Sequence, residues 1–418
     1  MIKIIIIGQN ILEFIIFLKI YLKLTSELIV MGTGLDKINK LLEHTEGLRR
    51  SFRNFNFSPD NIKRDERRYS LKEAQELVGR SYQAIRDAEN DGRLKPPEIG
   101  SNGRRVGFSL HEINRMRDIF GTRLRRGEKD APVILAIQNF KGGVSKSTVA
   151  CHLAQYLAKQ GYRVLIIDCD SQASTTTTFG YIPDDDIDEN ETLLPFLREE
   201  AETLAPYVRK TYWDSLDLIP SNLMLYQAEY ELASKPSASS FTLLREGIET
   251  IQDNYDVIIL DPAPALGMIS LNVIYAANAL LIPMPPAMYD FSSTISFLTM
   301  LKNSMESLER HLGPIEYKFV KILISRYDEN KSAQQALVDL ASDQFEGSVL
   351  AAKLRDSAEI ASAGNRQRTV YELNSPITSS KVYNRCINIL DSVNKEVELL
   401  IRRSWSSHAK ALREAGLD

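Results

Sequence analysis

Residues 141–148 read KGGVSKST, a string that combines two glycines, two lysines and three hydroxyl side chains. Glycine lets a backbone wrap closely round a phosphate so that several N–H groups point at it, and lysine neutralises phosphate charge. A hydroxyl directly after a lysine is a ligand that magnesium accepts. The chemistry that this string predicts is binding of a magnesium-bound nucleotide through its phosphates.

Each position in the string has an expected part in that site. Gly142 and Gly143 would let the chain cradle a pyrophosphate. Lys146 would reach the β and γ phosphates, and Ser147 would give its hydroxyl to magnesium. The predicted nucleotide contacts within the string are Lys141, Gly142, Gly143, Val144, Ser145, Lys146, Ser147 and Thr148.

Carboxylates follow two apolar runs further along the chain. The run YRVLIIDCD contains Asp168 and Asp170, which would share one side of a strand because strand side chains alternate. The run YDVIILDPAPAL contains Asp261 at the end of its apolar part. A single strand-end aspartate is more often a helix cap or a turn residue. Together with the glycine string, however, the two strand ends favour a magnesium–nucleotide site.

Strands and helices must position these residues. From Ala131 onward the chain alternates buried strands with helices, the pattern of a parallel sheet covered on both faces. The first strand, PVILAIQNF, runs straight into the glycine string, which continues as a helix whose positive N-terminal end would point at phosphates. The predicted fold class is α/β, a P-loop NTPase with a mostly parallel sheet between helical layers.

The glycine string departs from the common phosphate loop GxxxxGK[ST] in two ways. Ser145 stands where glycine precedes the lysine, and Lys141 is an extra lysine that opens the loop. The string thereby resembles the deviant Walker A motif of the ParA/MinD family. The resemblance implies that Lys141 reaches across a dimer interface to the nucleotide of the other subunit. It makes Lys141, Lys146 and Asp170 the expected catalytic residues.

The resemblance extends over residues 131–400. The segment DCDSQ resembles the family's DxDPQ, with Ser171 in place of proline. This implies that Asp170 orients the attacking water and that Asp168 supports the magnesium shell. Asp261 resembles the Walker B carboxylate. The expected magnesium residues are Ser147, Asp168 and Asp261.

The base side of the site is expected later in the chain. The segment VKILISRYDENKSAQQAL resembles the family segment that frames the base, and it makes Ser325, Arg326 and Tyr327 the expected adenine contacts. The sequence lacks a guanine-specific NKxD string there, because the Asn-Lys pair at 330–331 is followed by Ser-Ala. The expected cofactors are ATP and Mg²⁺.

A small unit is predicted ahead of the ATPase, at residues 66–122. Ser70 followed three residues later by Glu73 is a capping box that starts one helix, and Gly79 ends it. A second helix begins at Ser81, and the stretch SNGRRVGF is typical of a hairpin tip before a third helix. This order resembles the winged helix-turn-helix of the MerR type.

The charge of this region suits a polyanion. Residues 49–126 hold 19 Lys and Arg against 11 Asp and Glu, although the whole chain has a formal net charge of −4. In a winged helix-turn-helix the second helix enters the major groove and the wing lies near phosphates. A solvated basic face without a partner is the alternative. The predicted DNA contacts are Tyr82, Gln83 and Arg86 on the second helix and Arg104 and Arg105 on the wing.

The remaining segments carry weaker signals. Residues 1–31 form an apolar leader that we interpret first as an assigned start too far upstream, with a buried helix or a membrane anchor as alternatives. Residues 32–60 predict an amphipathic helix that contacts either a second subunit or its own domain. The ATPase domain is predicted over residues 131–402, with a tail over 403–418.

The sequence as a whole predicts an ATP-dependent DNA-partitioning protein. By the family resemblance, the ATP-bound homodimer binds duplex DNA, a centromere-binding ParB protein triggers hydrolysis, and operator binding gives autoregulation. The expected location is the cytoplasm, on the nucleoid. The candidate cations for nonspecific DNA contact are Lys353, Arg355, Arg366 and Arg368, with solvated surface charge as the alternative.

Two rival functions stay open, while nucleophilic and zinc chemistry are disfavoured. The three cysteines are scattered and the five histidines show no metal-ligand spacing. One rival is a transcription repressor whose operator affinity is set by the nucleotide. The other is a MinD-like membrane ATPase with the segment KVYNRCINILDSVNKEVELLIRRSW as an amphipathic foot, although packing on the sheet explains its apolar residues more simply.

Overall fold

The computed structural model describes residues 33–56, 67–101, 103–234, 237 and 239–417. The predicted leader, the stretch 57–60 of the predicted amphipathic helix, and Asn102 at the predicted hairpin tip lie outside the described residues. By its internal contacts the chain forms two units, Met1–Arg64 and Asp65–Asp418. Every predicted site residue belongs to the second unit.

The first unit contributes helix α1, Gly34–Asn56. At its start the backbone N–H and the hydroxyl of Thr33 both donate to the Asp36 carboxylate at 2.8 Å. Four apolar side chains near the start of α1 are more than half exposed, Leu35, Ile38, Leu41 and Leu42. The expected helix is therefore present with these apolar residues unburied, and its contact with a second subunit stays a prediction.

Two short helices open the second unit, α2 (Leu71–Val78) and α3 (Tyr82–Asn90). Both hydrogen bonds of the capping box at Ser70 and Glu73 are present, and Gly79 ends α2 in the left-handed conformation at φ 68°. The Ser81 side chain caps α3 by accepting a backbone hydrogen bond. Both helices therefore begin where these caps predict, and the helix-turn-helix assignment stays a prediction.

A third helix, α4 (Leu110–Phe120), follows the wing segment. A second capping box, at Ser109 and Glu112, starts it. Within the wing, an isolated backbone bridge pairs Ile99 with Arg105. These elements have the order of a winged helix-turn-helix, and their DNA-binding role stays a prediction.

A seven-stranded sheet organises the rest of the unit, in the order β3-β4-β2-β5-β1-β6-β7. Its strands are β1 (Val133–Ile137), β2 (Val164–Cys169), β3 (Arg209–Lys210), β4 (Leu216–Ile219), β5 (Val257–Pro262), β6 (Ala279–Met284) and β7 (Val320–Ile324). Every pairing is parallel except that of the edge strand β3 with β4. The predicted mostly parallel sheet is confirmed, and the carboxyl ends of its central strands meet at one edge.

Helices cover both faces of this sheet. In chain order, the helices described from residue 146 onward are α5 (Lys146–Gln160), α6 (Ser174–Thr178), α7 (Pro183–Asp186), α8 (Leu194–Leu197), α9 (Tyr226–Ser234), α10 (Leu243–Glu249), α11 (Met268–Ala276), α12 (Met288–Leu312), α13 (Ser332–Gln344), α14 (Ala358–Gly364), α15 (Ser380–Arg403) and α16 (Ala409–Glu414). Successive side chains of β1 lie on opposite faces of the sheet. Leu135 packs in the apolar cluster that contains α5 and α15, whereas Ala136 packs in the cluster that contains α10, α11 and α12.

Helix α15 is the segment that was considered as an amphipathic foot. Its apolar residues are buried in the cluster with α5, namely Cys386, Leu390, Val393, Val397 and Ile401. The expected packing on the sheet is confirmed. Among the helices of the described residues, none is long and apolar enough to cross a bilayer.

The apolar core of α2, α3 and α4 joins the same cluster. Val78, Ile85 and Ile113 are each 0–1% exposed and belong to one continuous set of buried residues with Leu153 and Val397 of the sheet domain. Helices α2, α3 and α4, the predicted helix-turn-helix unit, are thus packed against the helices beside the sheet.

Candidate nucleotide site

The predicted phosphate loop joins β1 to α5 at the carboxyl edge of the sheet. Gly143 (φ 73°) and Ser145 (φ 76°) both adopt the left-handed conformation. For a residue with a side chain this conformation costs roughly 1–2 kcal/mol, so contacts round the loop must hold Ser145 in place. Because the first N–H groups of a helix lack carbonyl partners within it, the start of α5 is suited to bind an anion.

A cavity of about 410 Å³ opens over the loop, a volume in the range of small-molecule sites. Its loop side is lined by Gly142, Gly143, Ser145, Lys146, Ser147 and Thr148. A β-carbon built on either Gly142 or Gly143 would meet no atom within 4 Å, so both glycines border open space. The structure brings the predicted loop residues to one cavity.

The two loop lysines have different contacts. The Lys146 ammonium donates to the Lys141 carbonyl oxygen at 3.2 Å, and burial lowers its pKa while the charges of Asp261 and Asp170 act in the opposite direction. The Lys141 ammonium lies 2.6 Å from the carboxylate of Asp290, in the first turn of α12. Lys146 therefore stays within the loop, whereas Lys141 is held by an acid of its own subunit.

Two predicted carboxylates lie side by side at the carboxyl ends of β2 and β5. Asp168 and Asp261 pair across β2 and β5, and both are fully buried. One oxygen of Asp168 accepts hydrogen bonds from the Thr176 backbone N–H at 2.8 Å and the Thr176 hydroxyl at 2.7 Å. One oxygen of Asp261 accepts from the Thr175 hydroxyl at 2.7 Å. The residues that follow β2 are thus ordered by these acids.

This pair of acids fits a divalent cation. Burial raises the pKa of Asp168 and the charge of Asp261 raises it further; burial also raises the pKa of Asp261, whereas the neighbouring hydroxyl groups of Ser147 and Thr175 lower it. Within the described residues, the Oδ1 atom of Asp261 is buried without a hydrogen-bond partner. A cation beside Ser147 and Asp261 would give that oxygen a partner, and oxygen ligands are those that Mg²⁺ prefers. Asp168, which accepts hydrogen bonds from Thr176, would support these ligands without contacting the ion.

Asp170 lies at the lining of the cavity. It is the first residue after β2, is 8% exposed and lines the cavity. One of its carboxylate oxygens accepts from the Gln172 backbone N–H at 2.9 Å, and its own N–H donates to Asp168 at 3.2 Å. The carboxylate is therefore fixed beside the open space, where a water could be held.

Sequence reasoning missed the wall of the cavity that faces the loop. That wall includes Ile360, Gly364, Arg368 and Thr369. Arg368 is also a candidate for DNA contact, and this stays a prediction; the structure adds that Arg368 lines the cavity. No motif marks these residues, since only folding returns the segment after α14 to the loop.

Two of the three predicted adenine contacts form hydrogen bonds with the phosphate loop. The Ser325 hydroxyl donates to the Val144 carbonyl at 3.0 Å, and the Arg326 guanidinium donates to the Gly143 carbonyl at 3.1 Å. Tyr327 is buried beside them. The cavity described above is lined by other residues. An adenine contact by these three residues stays a prediction.

A carboxylate that no motif indicated holds the segment after Asp261. Glu229 in α9 accepts hydrogen bonds from the backbone N–H groups of Met268 and Ile269, the latter at 3.2 Å. These are the first residues of α11. A β-carbon on Gly267 would overlap the Glu229 carboxylate, so any larger residue would push this carboxylate aside. Helix α9 is thereby tied to the loop behind the buried acids.

The three predicted base-edge residues lie on α3 and are exposed. The Arg86 guanidinium donates to the Tyr82 hydroxyl at 3.2 Å, and the Gln83 amide donates to Asp87 at 2.7 Å. Both pairs join residues one helical turn apart. Tyr82, Gln83 and Arg86 thus form a polar surface along α3 that stays a prediction for DNA contact.

The two wing arginines differ from each other. Arg104 is exposed, whereas Arg105 turns inward, 2.8 Å from the Glu89 carboxylate and 4.9 Å from the centre of the Phe108 ring. In the structure Arg105 therefore fastens the wing to the end of α3. A phosphate contact by Arg105, which stays a prediction, would require this ion pair to open.

Comparison with known proteins places this site in context. A protein-family model described as "AAA domain" matches residues 133–313. The chain is 36% identical over 363 residues to protein SopA of Escherichia coli (strain K12), and the match covers 84% of this chain and 93% of SopA. It is 28% identical over 228 residues to the virulence plasmid ParA family protein pGP5-D of Chlamydia psittaci, with 54% of this chain and 82% of that protein covered.

A solved structure named Partition Protein has the same fold. It superposes with a TM-score of 0.62 at 18% sequence identity and covers 88% of this chain and 98% of its own. The shared fold thus extends beyond the sheet domain predicted over residues 131–402.

Proposed function

Because the chain belongs to the ParA family of plasmid-partition ATPases, we propose that it uses ATP binding and hydrolysis to time its contact with DNA. One observation carries the proposal. The deviant phosphate loop stands over the buried Asp261, whose free oxygen and neighbouring Ser147 suit Mg²⁺. This arrangement supports ATP and Mg²⁺ as the cofactors.

The loop is built to bind phosphates before any ligand arrives. Ser325 and Arg326 hold the carbonyl groups of Val144 and Gly143, which leaves the N–H groups of the loop for the cavity. Fixed N–H dipoles bind an anion without the cost of reorganisation. Lys146, at the start of α5, adds a positive charge for the β and γ phosphates.

Hydrolysis to ADP and phosphate would rest on positioning. Ser147 and Asp261 would hold Mg²⁺, which would offset the charge of the phosphates. Asp170 would orient the attacking water, because its carboxylate is fixed at the cavity lining. Asp168 would act as a positioning residue through the Thr176 and Asp170 backbone.

Completion of the site would need a second subunit. Lys141 can reach another subunit's nucleotide only after it leaves Asp290. Next to Asp290, Met288 and Tyr289 are 59% and 86% exposed, which supports a protein contact at this surface. We therefore assign catalysis in trans to Lys141 within an ATP-bound homodimer.

The proposed cycle runs on DNA in the cytoplasm. The ATP-bound homodimer binds duplex DNA on the nucleoid, and a ParB-type centromere-binding partner triggers hydrolysis and release. The similarity to SopA over most of both chains supports this assignment. The DNA contacts on α3 and the wing, Tyr82, Gln83, Arg86, Arg104 and Arg105, would add operator binding and autoregulation.

A repressor remains the second candidate function. The observation that favours it is the helix-turn-helix order of α2 and α3 with an exposed polar surface on α3. The membrane rival is not retained, because the apolar side of α15 is buried against the sheet domain.

Binding of the full chain to random-sequence duplex DNA tests the proposal. The assay compares ATP, ADP and no nucleotide, for the wild type and for Lys141→Ala. We expect cooperative binding with ATP alone, and its loss in Lys141→Ala. Binding that ignores the nucleotide, or that requires one particular sequence, would instead establish the repressor.

A further inference from the structure

We propose that Arg67 couples the nucleotide cavity to the helix-turn-helix unit, so that operator binding responds to the bound nucleotide. The route is the segment Arg368–Glu372, here called the sensor turn. The inference rests on the proposed function, since it assumes nucleotide in the cavity and DNA on α3. Arg67 touches neither ligand and would act as a positioning residue.

On its inner side the sensor turn borders the cavity. Arg368 and Thr369 line the cavity together with Thr148 of the phosphate loop. The Val370 backbone N–H donates to Nε2 of His152 at 3.2 Å, and Nδ1 of His152 lies 2.7 Å from the Thr148 carbonyl oxygen. A continuous set of hydrogen bonds therefore joins the turn to the loop that receives the phosphates.

On its outer side the sensor turn holds the helix-turn-helix unit. The Arg67 guanidinium donates to the Tyr371 carbonyl at 3.2 Å and to the Glu73 carboxylate at 3.1 Å. Glu73 is the capping-box acid of α2, where its other oxygen accepts from the Ser70 N–H at 2.8 Å. Arg67 also lies 5.2 Å from the centre of the Tyr69 ring. One side chain thus links the turn to the start of α2.

The other side of the unit is fastened far from the phosphates. Asn114 in α4 donates to Asp214 at 2.7 Å. Arg123, just after α4, donates to the Gly161 carbonyl at 2.9 Å and to the Ser215 hydroxyl at 2.7 Å. Gly161 precedes β2, and Asp214 and Ser215 precede β4, so these anchors lie at the amino ends of the strands.

A bound nucleotide would act on only one of these two attachments. Phosphate oxygens attract the Arg368 guanidinium, and a shift of the turn moves the Tyr371 carbonyl that Arg67 holds. Asp214 and Gly161 are not among the residues that line the cavity, and these anchors would stay in place. The unit would then tilt about them, and nucleotide and operator affinities become linked reciprocally.

Amide hydrogen exchange of the full chain tests the coupling without DNA. Exchange is measured without nucleotide, with ADP and with a non-hydrolysable ATP analogue, for the wild type, Arg67→Ala and Arg67→Lys. We expect nucleotide to change exchange in both the sensor turn and α2 of the wild type. In both variants the change in the turn should persist and the change in α2 should be lost, because Arg67 donates to Tyr371 and to Glu73 from two different nitrogens, which alanine lacks and the single ammonium of lysine does not reproduce.

Operator binding gives the second readout. The probe is duplex DNA from immediately upstream of the protein's own coding sequence. Coupling of the usual size gives about a fivefold or larger ratio between affinities with and without nucleotide, and this ratio should fall to about one in Arg67→Ala. Arg93→Ala is the matched control, since Arg93 pairs with Asp91 inside the unit at 2.7 Å and should keep the wild-type ratio.

Two outcomes would overturn the proposal. One is that nucleotide does not change the amide exchange of α2 in the wild type. The other is that a folded Arg67→Ala variant keeps the full wild-type change in α2 exchange on binding nucleotide. Failure of the proposed function looks different. It would appear as a wild type that lacks ATP-dependent binding to random-sequence DNA, whatever the exchange of α2 shows.

Discussion

At the scale of single residues, replacing the two lysines of the phosphate loop should have different effects on nucleotide binding and hydrolysis. Lys146 is buried at the start of α5, where its charge has no substitute, so Lys146→Ala should abolish nucleotide binding. Lys141 is bound to Asp290 in its own subunit, so Lys141→Ala should leave nucleotide binding measurable and stop hydrolysis. Titration with a fluorescent ATP analogue and a phosphate-release assay separate the two.

The control for this pair is a lysine outside the loop. Lys302 forms an exposed i,i+4 pair with Glu306 on α12, and Lys302→Ala should change neither binding nor hydrolysis. Equal loss of nucleotide binding in Lys141→Ala and Lys146→Ala would refute the division of labour between them.

Site residues that belong to a motif with fixed spacing could be predicted from the sequence, whereas site residues outside any motif could not. The string KGGVSKST and the strand-end acids Asp168 and Asp261 come together at one edge because parallel strands place their carboxyl ends there. Asp290 and Arg368 carry no motif, and each reaches the site only through tertiary packing. Their types and local spacing are those of ordinary surface charges.

At the scale of elements, the link between α9 and α11 controls the loop behind Asp261. A methyl group at Gly267 would displace the Glu229 carboxylate from the Met268 and Ile269 N–H groups. Loss of such a cap costs about 1 kcal/mol at the helix start. Gly267→Ala should therefore slow ATP hydrolysis by about tenfold or less while nucleotide binding is kept, as measured by steady-state phosphate release.

Gly34→Ala is the matched control for this substitution. It adds the same methyl group to α1, where nothing lies within 4 Å, and should leave hydrolysis unchanged. Glu229→Ala should reproduce the defect, because it removes the acceptor itself. A Gly267→Ala protein with wild-type turnover would show that the cap has no part in the reaction.

Elements with local start and stop signals were predictable. Helices α2 and α4 begin at capping boxes, and Gly79 ends α2 in the left-handed conformation that glycine allows. The edge strand β3 was not predicted, because two residues carry no periodic signal and its pairing with β4 is decided by the fold. The same holds for short helices such as α7 and α8, which four residues each define.

At the scale of the whole molecule, the helix-turn-helix unit and the ATPase domain share a core, and a buried histidine lies between cavity and core. His152 is 4% exposed, its Nδ1 lies 2.7 Å from the Thr148 carbonyl, and its Nε2 accepts from the Val370 N–H. A carbonyl can only accept, so Nδ1 carries the proton and the ring is neutral. Sequence alone gave no reason to single out this histidine.

The stability of the whole unit should therefore depend on pH through His152. Burial lowers the pKa of His152 from 6.5 to about 4. Between these values the unfolded chain binds a proton that the folded chain does not, so the free energy of unfolding falls as pH falls through that window. From pH 7 to pH 5 the loss from this group amounts to about 2 kcal/mol.

Urea unfolding without nucleotide, at pH 7 and pH 5, measures this term by comparison with His152→Gln. Glutamine offers an amide donor and an acceptor but does not titrate. The variant should be less stable at pH 7, because glutamine matches the two hydrogen bonds of His152 less well. On going from pH 7 to pH 5, however, its free energy of unfolding should fall by about 2 kcal/mol less than that of the wild type. Other titrating groups, including Asp168 and Asp261, are common to both proteins and cancel in the difference. An identical pH dependence in the two proteins would show that His152 is protonated as readily in the folded chain as in the unfolded one.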